Sequence, residues 1–302
     1  MIELKSISRP RPSALESATA PTRKVQRGGS GTASQELSRS AKAYVVTGKG
    51  EPIQPRIRSG VGIESVLGLD DRQRVLDTEL NPWRMICALR MFGSTGGSAI
   101  GTGWLAGPST IVTAGHCVHH QGFFGGWAER IEVSAGRDQL EFPFGTISAT
   151  RFSSVDRWVT DEDPDFDVGC IHLDQPLGDT VGWFGFGTVP PAELKDHMVN
   201  ISGYPGDRGA GTEQYFHANR VLHVGERRVF YDVDTFGGQS GAPVWIHDAP
   251  TSPPLVVAIH AYGTGGTPFD LGITANSAPR IIPEVFDQLA AWVAESAPAE
   301  AA

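Results

Sequence analysis

Cysteine is scarce in this chain, with three residues among 302: Cys87, Cys117 and Cys170. An odd number cannot pair completely within one chain, and three are too few for the disulfide framework typical of small secreted domains. The pattern therefore favours three buried thiols in a reducing compartment.

Long apolar runs are also missing. The first 20 residues contain no continuous apolar segment of the kind found in a secretory signal, and no later segment is long enough to span a membrane. We therefore expect no membrane partner and favour the cytoplasm over export. A start codon assigned too far downstream would hide a signal peptide and stays an alternative.

Positive charge is in the minority, with 25 Lys and Arg against 34 Asp and Glu. This balance argues against nucleic acid as a partner. The charge is uneven, because residues 1–64 contain 11 basic and 5 acidic side chains, whereas residues 65–302 contain 14 and 29. Residues 1–64 are also rich in Ser and Pro and lack clustered apolar residues. We predict that they form a basic, largely disordered prosegment, either a flexible tail or an electrostatic docking segment.

The remaining composition, with 37 Gly and 21 Pro, predicts a β-rich domain over 65–302. Short apolar runs such as 229–231 and 255–259 alternate with turn-rich segments, which is the all-β pattern. Residues 283–294 are the exception. Pro283 suits a first helical turn, and the apolar residues that follow it fall on one stripe, which predicts a C-terminal helix.

Two distant segments carry the candidate chemistry. Gly237-Gly238-Gln239-Ser240-Gly241 surrounds a serine with glycines, and Thr113-Ala114-Gly115-His116-Cys117 places a histidine far upstream. A serine hydroxyl becomes a strong nucleophile only when a base takes its proton, and His116 could be that base. Backbone N–H groups beside Ser240 could bind the developing oxyanion.

A carboxylate that orients the imidazole should lie between the two segments. We predict Asp167, on a strand that also carries Gly169 and Ile171 on the same face. Asp165 is the less favoured candidate, at the mouth of that strand. The resulting order His, Asp, Ser is that of chymotrypsin-type enzymes, not of subtilisins or α/β-hydrolases. The hydrolase motif G-x-S-x-G is also absent, because Ala242 stands at its last position.

On these motifs the chain resembles the glutamyl endopeptidases, chymotrypsin-fold serine proteases that cut after acidic residues. The resemblance covers residues 65–293 and includes the strings Ser65-Val66-Leu67-Gly68-Leu69-Asp70-Asp71-Arg72, Thr102-Gly103-Trp104, Val181-Gly182-Trp183-Phe184-Gly185, Gly203-Tyr204-Pro205-Gly206-Asp207 and Ala258-Ile259-His260. It implies two packed antiparallel six-stranded β-barrels, at about 80–180 and 195–280, with the catalytic cleft between them.

The resemblance also implies roles for individual residues. Ser240 would be the nucleophile, His116 the general base and Asp167 the orienting acid, with the backbone N–H groups of Gly238 and Ser240 as oxyanion hole. The carboxylate of a substrate Glu, or less readily Asp, would be bound by the remaining pocket residues. These are Thr235 and His260, with Ala261–Gly263 as an edge strand that pairs with the substrate backbone.

Two alternatives stay open at this point. Asp234, six residues before Ser240, stands where trypsin-like enzymes carry the acid that selects Arg or Lys. Cleavage after basic residues is therefore the second hypothesis, although His260 would be a poor neighbour for a bound Arg. An inactive peptide-binding module of the same fold is the third.

The junction Glu64-Ser65 would itself be a substrate for a glutamate-directed protease. We therefore predict maturation by cleavage after Glu64, which would free an α-amino group on Ser65 near the pocket. The resemblance also exposes a departure, because the usual disulfide partner of Cys117 is replaced by Gly101. We expect a monomer that acts on protein or peptide substrates.

Metal and cofactor sites are not expected. His116, Cys117, His119 and His120 lack the second ligand pair of a zinc site. The acidic run at 161–167 lacks the Gly and Glu of a calcium-binding EF-hand loop. The glycines at 263–266 lack the Lys of a phosphate-binding loop.

Overall fold

The computed structural model describes residues 4–8, 24–29, 65–94, 96–247 and 252–296. The strands of these ranges are β1 (Ser6–Ser8), β2 (Val25–Gln26), β3 (Gln73–Arg74), β4 (Ile86–Phe92), β5 (Ser98–Gly107), β6 (Thr110–Thr113), β7 (His119–His120), β8 (Gly126–Trp127), β9 (Arg130–Ala135), β10 (Ile147–Ala149), β11 (Arg151–Val155), β12 (Gly169–His172), β13 (Gly185–Gly187), β14 (Met198–Gly203), β15 (Tyr215–Val224), β16 (Arg228–Tyr231), β17 (Pro243–Ile246), β18 (Leu255–Ile259) and β19 (Asn276–Pro279).

Helical segments are short apart from the last one. They are α1 (Gly115–Val118), α2 (Gln121–Phe124), α3 (Asp156–Asp161), α4 (Leu177–Val181), α5 (Pro191–Leu194) and α6 (Pro283–Ser296), with 3₁₀ turns at Trp83–Met85, Pro164–Phe166, Gly209–Gly211, Thr264–Gly266 and Phe269–Leu271. In the described ranges, no helix combines the length and apolar character needed to cross a bilayer.

The strands form two large curled sheets. The first has eight strands in the order β1-β11-β12-β6-β5-β4-β9-β10, and the second has nine, with β19-β16-β15-β14-β17-β18-β13-β2 as its path and β3 beside β15. Both therefore exceed the expected six strands, because short segments extend their edges. One pairing also departs from the expected antiparallel pattern, since β13 runs parallel to β18.

Two short segments of the predicted prosegment form strands at the edges of the two sheets. β1 pairs antiparallel with β11 at the edge of the first sheet, and β2 pairs antiparallel with β13 at the edge of the second. Edge strands present unpaired N–H and C=O groups, so an extended segment can bind there without burying an apolar core of its own. The other residues of 1–64 lie outside the described ranges.

An aromatic core lies between the two sheets. Trp104 on β5 contacts Phe184 edge to face, with ring centroids 6.1 Å apart, and Trp245 on β17 approaches Phe184 to 5.7 Å. The predicted C-terminal helix is present as α6 and contributes Trp292 to this core. Burial of large aromatic surfaces from both sheets fixes their relative position, and the candidate site lies where the sheets meet.

Candidate active site

Strand pairing brings His116 and Asp167 together. β6 and β12 are antiparallel neighbours, and Thr113 at the end of β6 lies opposite Gly169 at the start of β12. His116, three residues past Thr113 on α1, and Asp167, two residues before Gly169, therefore emerge at the same sheet edge. Asp167 does not lie on the strand as we expected, because it follows the 3₁₀ turn Pro164–Phe166 and has ψ of 70°.

The two side chains form a close pair. Nδ1 of His116 lies 2.7 Å from Oδ2 of Asp167, and the backbone N–H of His116 donates to Oδ1 at 2.8 Å. The carboxylate is fully buried, whereas the imidazole side chain is 20% exposed. Asp165, the other candidate, lies on the 3₁₀ turn, where its backbone N–H donates to Asp163. Asp167, and not Asp165, is therefore the carboxylate in contact with His116.

Electrostatics follow from this pairing. Burial alone would lower the pKa of His116, but the negative charge and hydrogen bond of Asp167 outweigh it and raise the pKa well above 6.5. For Asp167 burial acts in the opposite direction, and the charge and hydrogen bonds of His116 lower its pKa. The protonated form of the imidazole is thus the stabilised one.

Tyr262 is a third partner that sequence reasoning missed. Its hydroxyl donates a hydrogen bond to the carboxyl of Asp167, and its ring centroid lies 6.4 Å from that of His116. The backbone of Tyr262 is fixed by a reciprocal pair of hydrogen bonds with Ser277, of 3.0 and 2.7 Å. Arg228 lies over the ring at 4.8 Å. No local motif marks this tyrosine, because its partner is 95 positions away.

The loop around Ser240 lies between β16 and β17 of the second sheet and contacts β5 of the first. The backbone N–H of Thr102 on β5 donates to the carbonyl of Ser240 at 2.8 Å, and its hydroxyl donates to the carbonyl of Gly238 at 2.8 Å. The thiol of Cys117, the residue after His116, donates to the carbonyl of Ser240 at 3.7 Å. Ser240 therefore lies against the segment that carries His116.

Gly241 makes this close approach possible. A Cβ at this position would lie 2.1 Å from both the carbonyl oxygen of Thr102 and the hydroxyl of Thr113, and its φ is +88°. Any other residue would separate the Ser240 loop from β5 and adopt a strained backbone. The glycine thus sets the distance between the serine loop and the first sheet.

The peptide planes beside Ser240 have a defined direction. The carbonyl of Gly237 accepts a backbone N–H at 2.7 Å from the neighbouring loop, and the carbonyl of Gln239 accepts one at 2.9 Å from three residues further on. In a trans peptide the following N–H points the opposite way. The N–H groups of Gly238 and Ser240 therefore point away from these partners.

Thr235 and His260 are both fully buried. The hydroxyl of Thr235 has no hydrogen-bond partner within the described part of the chain. Nδ1 of His260 lies 2.5 Å from the hydroxyl of Tyr231, and Tyr231 lies opposite Asn276 in the β16–β19 pairing. The Asn276 amide donates to the carbonyl of Ser65, which also accepts the N–H of Thr235. Shared neighbours thus connect the two candidate pocket residues.

The protonation state of His260 follows from its burial. Burial, helped by the nearby positive charge of His116, lowers its pKa to about 3, so the ring is neutral near pH 7. A neutral imidazole still has one N–H. Because a tyrosine hydroxyl donates readily, donation from Tyr231 to Nδ1 would leave Nε2 as the N–H donor.

Asp234 is occupied by backbone groups. Its carboxylate accepts the N–H of Leu67 at 2.6 Å and the N–H of Asp71 at 3.0 Å. Its own N–H donates at 2.8 Å to Nδ1 of His217, so this ring nitrogen is an acceptor. Through these hydrogen bonds Asp234 connects the segment at Leu67 and Asp71 to His217 on β15 of the second sheet.

The remaining expected site residues have mixed outcomes. Ala261 and Gly263 do not lie on an edge strand, because the only pairing of this described segment is a single bridge at Tyr262, followed by the 3₁₀ turn Thr264–Gly266. The reason is that Gly263 already starts that turn. Ser65 lies beside Thr235, and its hydroxyl is 3.0 Å from that of Thr264. Glu64 lies outside the described residues.

Residues weighed earlier for metals have structural partners. Nδ1 of His120 accepts the backbone N–H of Gly122 at 3.0 Å, and the ring of His119 packs edge to face on Trp127. In the acidic run, Asp163 pairs with Arg157 at 2.7 Å. These contacts stabilise the loops on either side of the candidate site.

Comparison with known proteins agrees with this geometry. The family model described as Trypsin matches residues 77–267. The glutamyl endopeptidase of Bacillus licheniformis is 36% identical over 261 residues, which cover 83% of this chain and 78% of that protein. The extracellular metalloprotease of Bacillus subtilis is 34% identical over 229 residues, which cover 76% of this chain and 69% of that protein.

A solved structure of a Glu endopeptidase superposes with a TM-score of 0.64 at 25% identity, over 76% of this chain and 99% of that one. The predicted all-β, chymotrypsin-like fold is thereby confirmed. Fold and site together define a serine protease of the trypsin-like class, acting on proteins or peptides. The chain belongs to the trypsin family. It is a serine endopeptidase of this family, and glutamyl endopeptidases are among its relatives.

Proposed function

We propose that this endopeptidase cuts after Glu by acyl-enzyme chemistry at Ser240. The observation that carries the proposal is the buried His116–Asp167 pair, with contacts of 2.7 and 2.8 Å, beside a Ser240 loop bonded to Thr102. Oγ of Ser240 attacks the scissile carbonyl carbon while His116 takes its proton. The N–H groups of Gly238 and Ser240 bind the oxyanion. His116 then gives that proton to the leaving amine, and water repeats the sequence on the acyl-enzyme.

The test of this assignment is a serine-reactive fluorophosphonate probe with the whole chain. We expect labelling of the protein and none of Ser240→Ala, with turnover lower by a factor on the order of 10⁶, the loss known for subtilisin when its nucleophile is removed. Ser252→Ala, at a serine outside the cleft, is the matched control and should be labelled normally. Equal labelling of Ser240→Ala would refute the assignment.

Preference for Glu is supported by the buried hydroxyl of Thr235. A buried hydroxyl without a partner costs about 1–3 kcal/mol, and a substrate carboxylate would remove that cost. His260 would supply a second N–H, and the charge of a bound Glu would raise its pKa from about 3. The pocket would thus hydrogen-bond a carboxylate through uncharged donors.

Cleavage after Arg or Lys is disfavoured by the position of Asp234. Its carboxylate already accepts the N–H groups of Leu67 and Asp71, so it would have to leave both to pair with a basic side chain. The guanidinium of a substrate Arg would instead lie beside the N–H of His260, and because both groups are donors they could not form a hydrogen bond. This arrangement favours the acidic specificity over the basic one.

Specificity is tested with peptides that differ only at the residue before the scissile bond, Glu, Gln or Arg. We expect Glu to be preferred, and Thr235→Val to reduce the Glu over Gln preference by about 10- to 100-fold, the value of a hydrogen bond to a charged group. Thr160→Val, at an exposed position of α3, is the matched control. A preference for Arg would exclude this pocket.

Maturation by a cut after Glu64 is the second part of the proposal. It is supported by the place of Ser65, whose carbonyl accepts the N–H of Thr235 at 3.1 Å, so a new α-amino group would lie beside the pocket. N-terminal sequencing should find Ser65 first in the active protein and Met1 or Ile2 first in Ser240→Ala. Glu64→Gln should prevent the cut without removing the nucleophile. The same start in all three proteins would contradict self-maturation.

A further inference from the structure

Residues 4–8 and 24–29, here called the leader clasp, bind the domain at two sheet edges. Its first part is β1. Ser6, Ile7 and Ser8 pair with residues 155, 154 and 153 of β11, and the carbonyl of Lys5 accepts the N–H of Asp156 at 2.7 Å. The hydroxyls of Ser8 and Ser153 are 2.7 Å apart. These contacts extend the first sheet by one strand.

The second part of the leader clasp is β2 together with the residues just before and after it, all of which form hydrogen bonds with the domain. Val25 and Gln26 pair with Gly187 and Phe186, and Gly29 exchanges two backbone hydrogen bonds with Trp183, of 3.0 and 2.9 Å. Lys24 exchanges a further two with Thr188, each of 2.8 Å. The second sheet is thus extended over a continuous stretch of backbone.

Helix α6 connects the two parts. Nε1 of Trp292 donates to the hydroxyl of Ser6 at 2.9 Å, and Lys24 forms a 2.7 Å ion pair with Asp287 and lies 5.6 Å from the ring centre of Phe286. One helix therefore contacts both ends of the leader clasp, and the leader contacts both sheets. The ion pair is consistent with the basic charge of residues 1–64 against the acidic domain.

From these contacts we infer that the leader clasp is a noncovalent partner of the domain, which stays bound when the chain is cut between residues 30 and 64. Two binding segments joined by residues 9–23 act as a bivalent ligand, so release requires both to leave together. The inference extends the proposed maturation, since the released leader would remain on the mature enzyme. The backbone hydrogen bonds of residues 4–8 and 24–29 do not involve the Ser240 loop.

The experiment uses the inactive Ser240→Ala chain, so it does not depend on self-cleavage or on specificity. A recognition sequence for a site-specific protease is inserted between residues 50 and 51, and the protein is cut to completion. We expect both fragments to elute together on gel filtration in buffer and separately in denaturant. Separate elution in buffer would overturn the inference and would leave the proposed function untouched.

A glycine substitution tests the geometry of the second part. A Cβ on Gly28 would lie 2.5 Å from the carbonyl oxygen of Trp183 and 2.7 Å from the backbone nitrogen of Gly185, neither of which can move independently. Gly28→Ala should therefore weaken retention of the cut leader by about tenfold or more, a change of at least ~1.4 kcal/mol. Gly97→Ala, where a Cβ meets nothing within 4 Å, should retain it unchanged.

A second measurement does not require any substitution in the clasp. A synthetic peptide with the sequence of residues 4–29, added in excess to the cut protein, should displace the leader fragment from the domain. A scrambled peptide of the same composition should not displace it. Displacement by both peptides would show a charge attraction without the strand pairing described here and would overturn the inference.

Discussion

The partly exposed His116 and the buried His172 differ in the partners that surround them. His116 on the cleft side contacts the carboxylate of Asp167 at 2.7 Å, and its pKa lies well above 6.5. His172, at the end of β12 on the opposite side, lies between the hydroxyls of Ser153 at 2.8 Å and Ser296 at 2.6 Å. Burial, with the charge of Arg151, lowers the pKa of His172 to about 4.

The difference shows that burial alone does not decide the charge of a histidine. Burial favours the neutral ring in both cases, and only a carboxylate in direct contact reverses that preference. His260 follows the same rule, because burial and the positive charge of His116 lower its pKa to about 3, and its contact with Tyr231 is with a hydroxyl and not a carboxylate. The cleft therefore contains one histidine suited to carry a proton and one suited to remain neutral.

The largest expected effect is that of Asp167→Asn, which removes the feature that separates the two histidines. We expect kcat/KM to fall by about 10⁴-fold, as in a trypsin-like enzyme with the same change. The acid limb of its pH profile should move from above pH 6.5 to below it, because burial then acts without the carboxylate. Asp165→Asn should leave both unchanged. An unmoved acid limb in Asp167→Asn would contradict the role of the pair.

The next effect concerns His172 and the stability of the domain. Its folded pKa of about 4 lies below the ordinary 6.5, so the unfolded chain binds more protons between these values. Stability should therefore decrease by up to about 3 kcal/mol as the pH falls from 6.5 to 4. His172→Gln should reduce this dependence, measured by urea unfolding in the Ser240→Ala background. An equally steep dependence in both proteins would show that other groups cause it.

A disulfide at Gly101 should have an effect of similar size on the cleft side. An ideal Cβ on Gly101 lies 3.0 Å from Sγ of Cys117, about the separation that a bridge with an S–S bond of ~2.04 Å requires. Gly101→Cys should thus form a bond to Cys117 and stabilise the domain by up to about 3 kcal/mol, the value for a loop of this length. Gly101→Ser is the control without a bridge. A free thiol count of two in oxidised Gly101→Cys would agree with this bond, and four would contradict it.

The smallest effect is expected for Tyr262→Phe, which removes one hydrogen bond from Asp167 and keeps the ring beside His116. We expect kcat to fall by about 5- to 10-fold, because the lost hydrogen bond is worth about 1 kcal/mol of transition-state stabilisation. KM should change little. The acid limb of the pH profile should move to higher pH, because an Asp167 carboxylate with one hydrogen bond fewer raises the pKa of His116 further. A change in KM alone would indicate a substrate contact.

Local motifs predicted Ser240, His116 and Asp167 as the candidate triad, and alternation of apolar and turn residues was enough to predict the β-rich fold and the C-terminal helix. The register of Asp167 was not predictable, because Pro164 starts a 3₁₀ turn that delays the strand by two residues. Tyr262 and the neutral state of His260 depend on contacts and burial between distant segments. The leader strands were missed because edge pairing uses backbone groups, which leave little trace in composition.

All three cysteines of the chain are buried and unbridged. Burial raises the pKa of Cys87 and Cys170, so neither forms a reactive thiolate near neutral pH. No disulfide therefore contributes to the stability of the fold. Purification in a strong thiol reductant should leave its melting temperature unchanged, and alkylating reagents should label it only after unfolding.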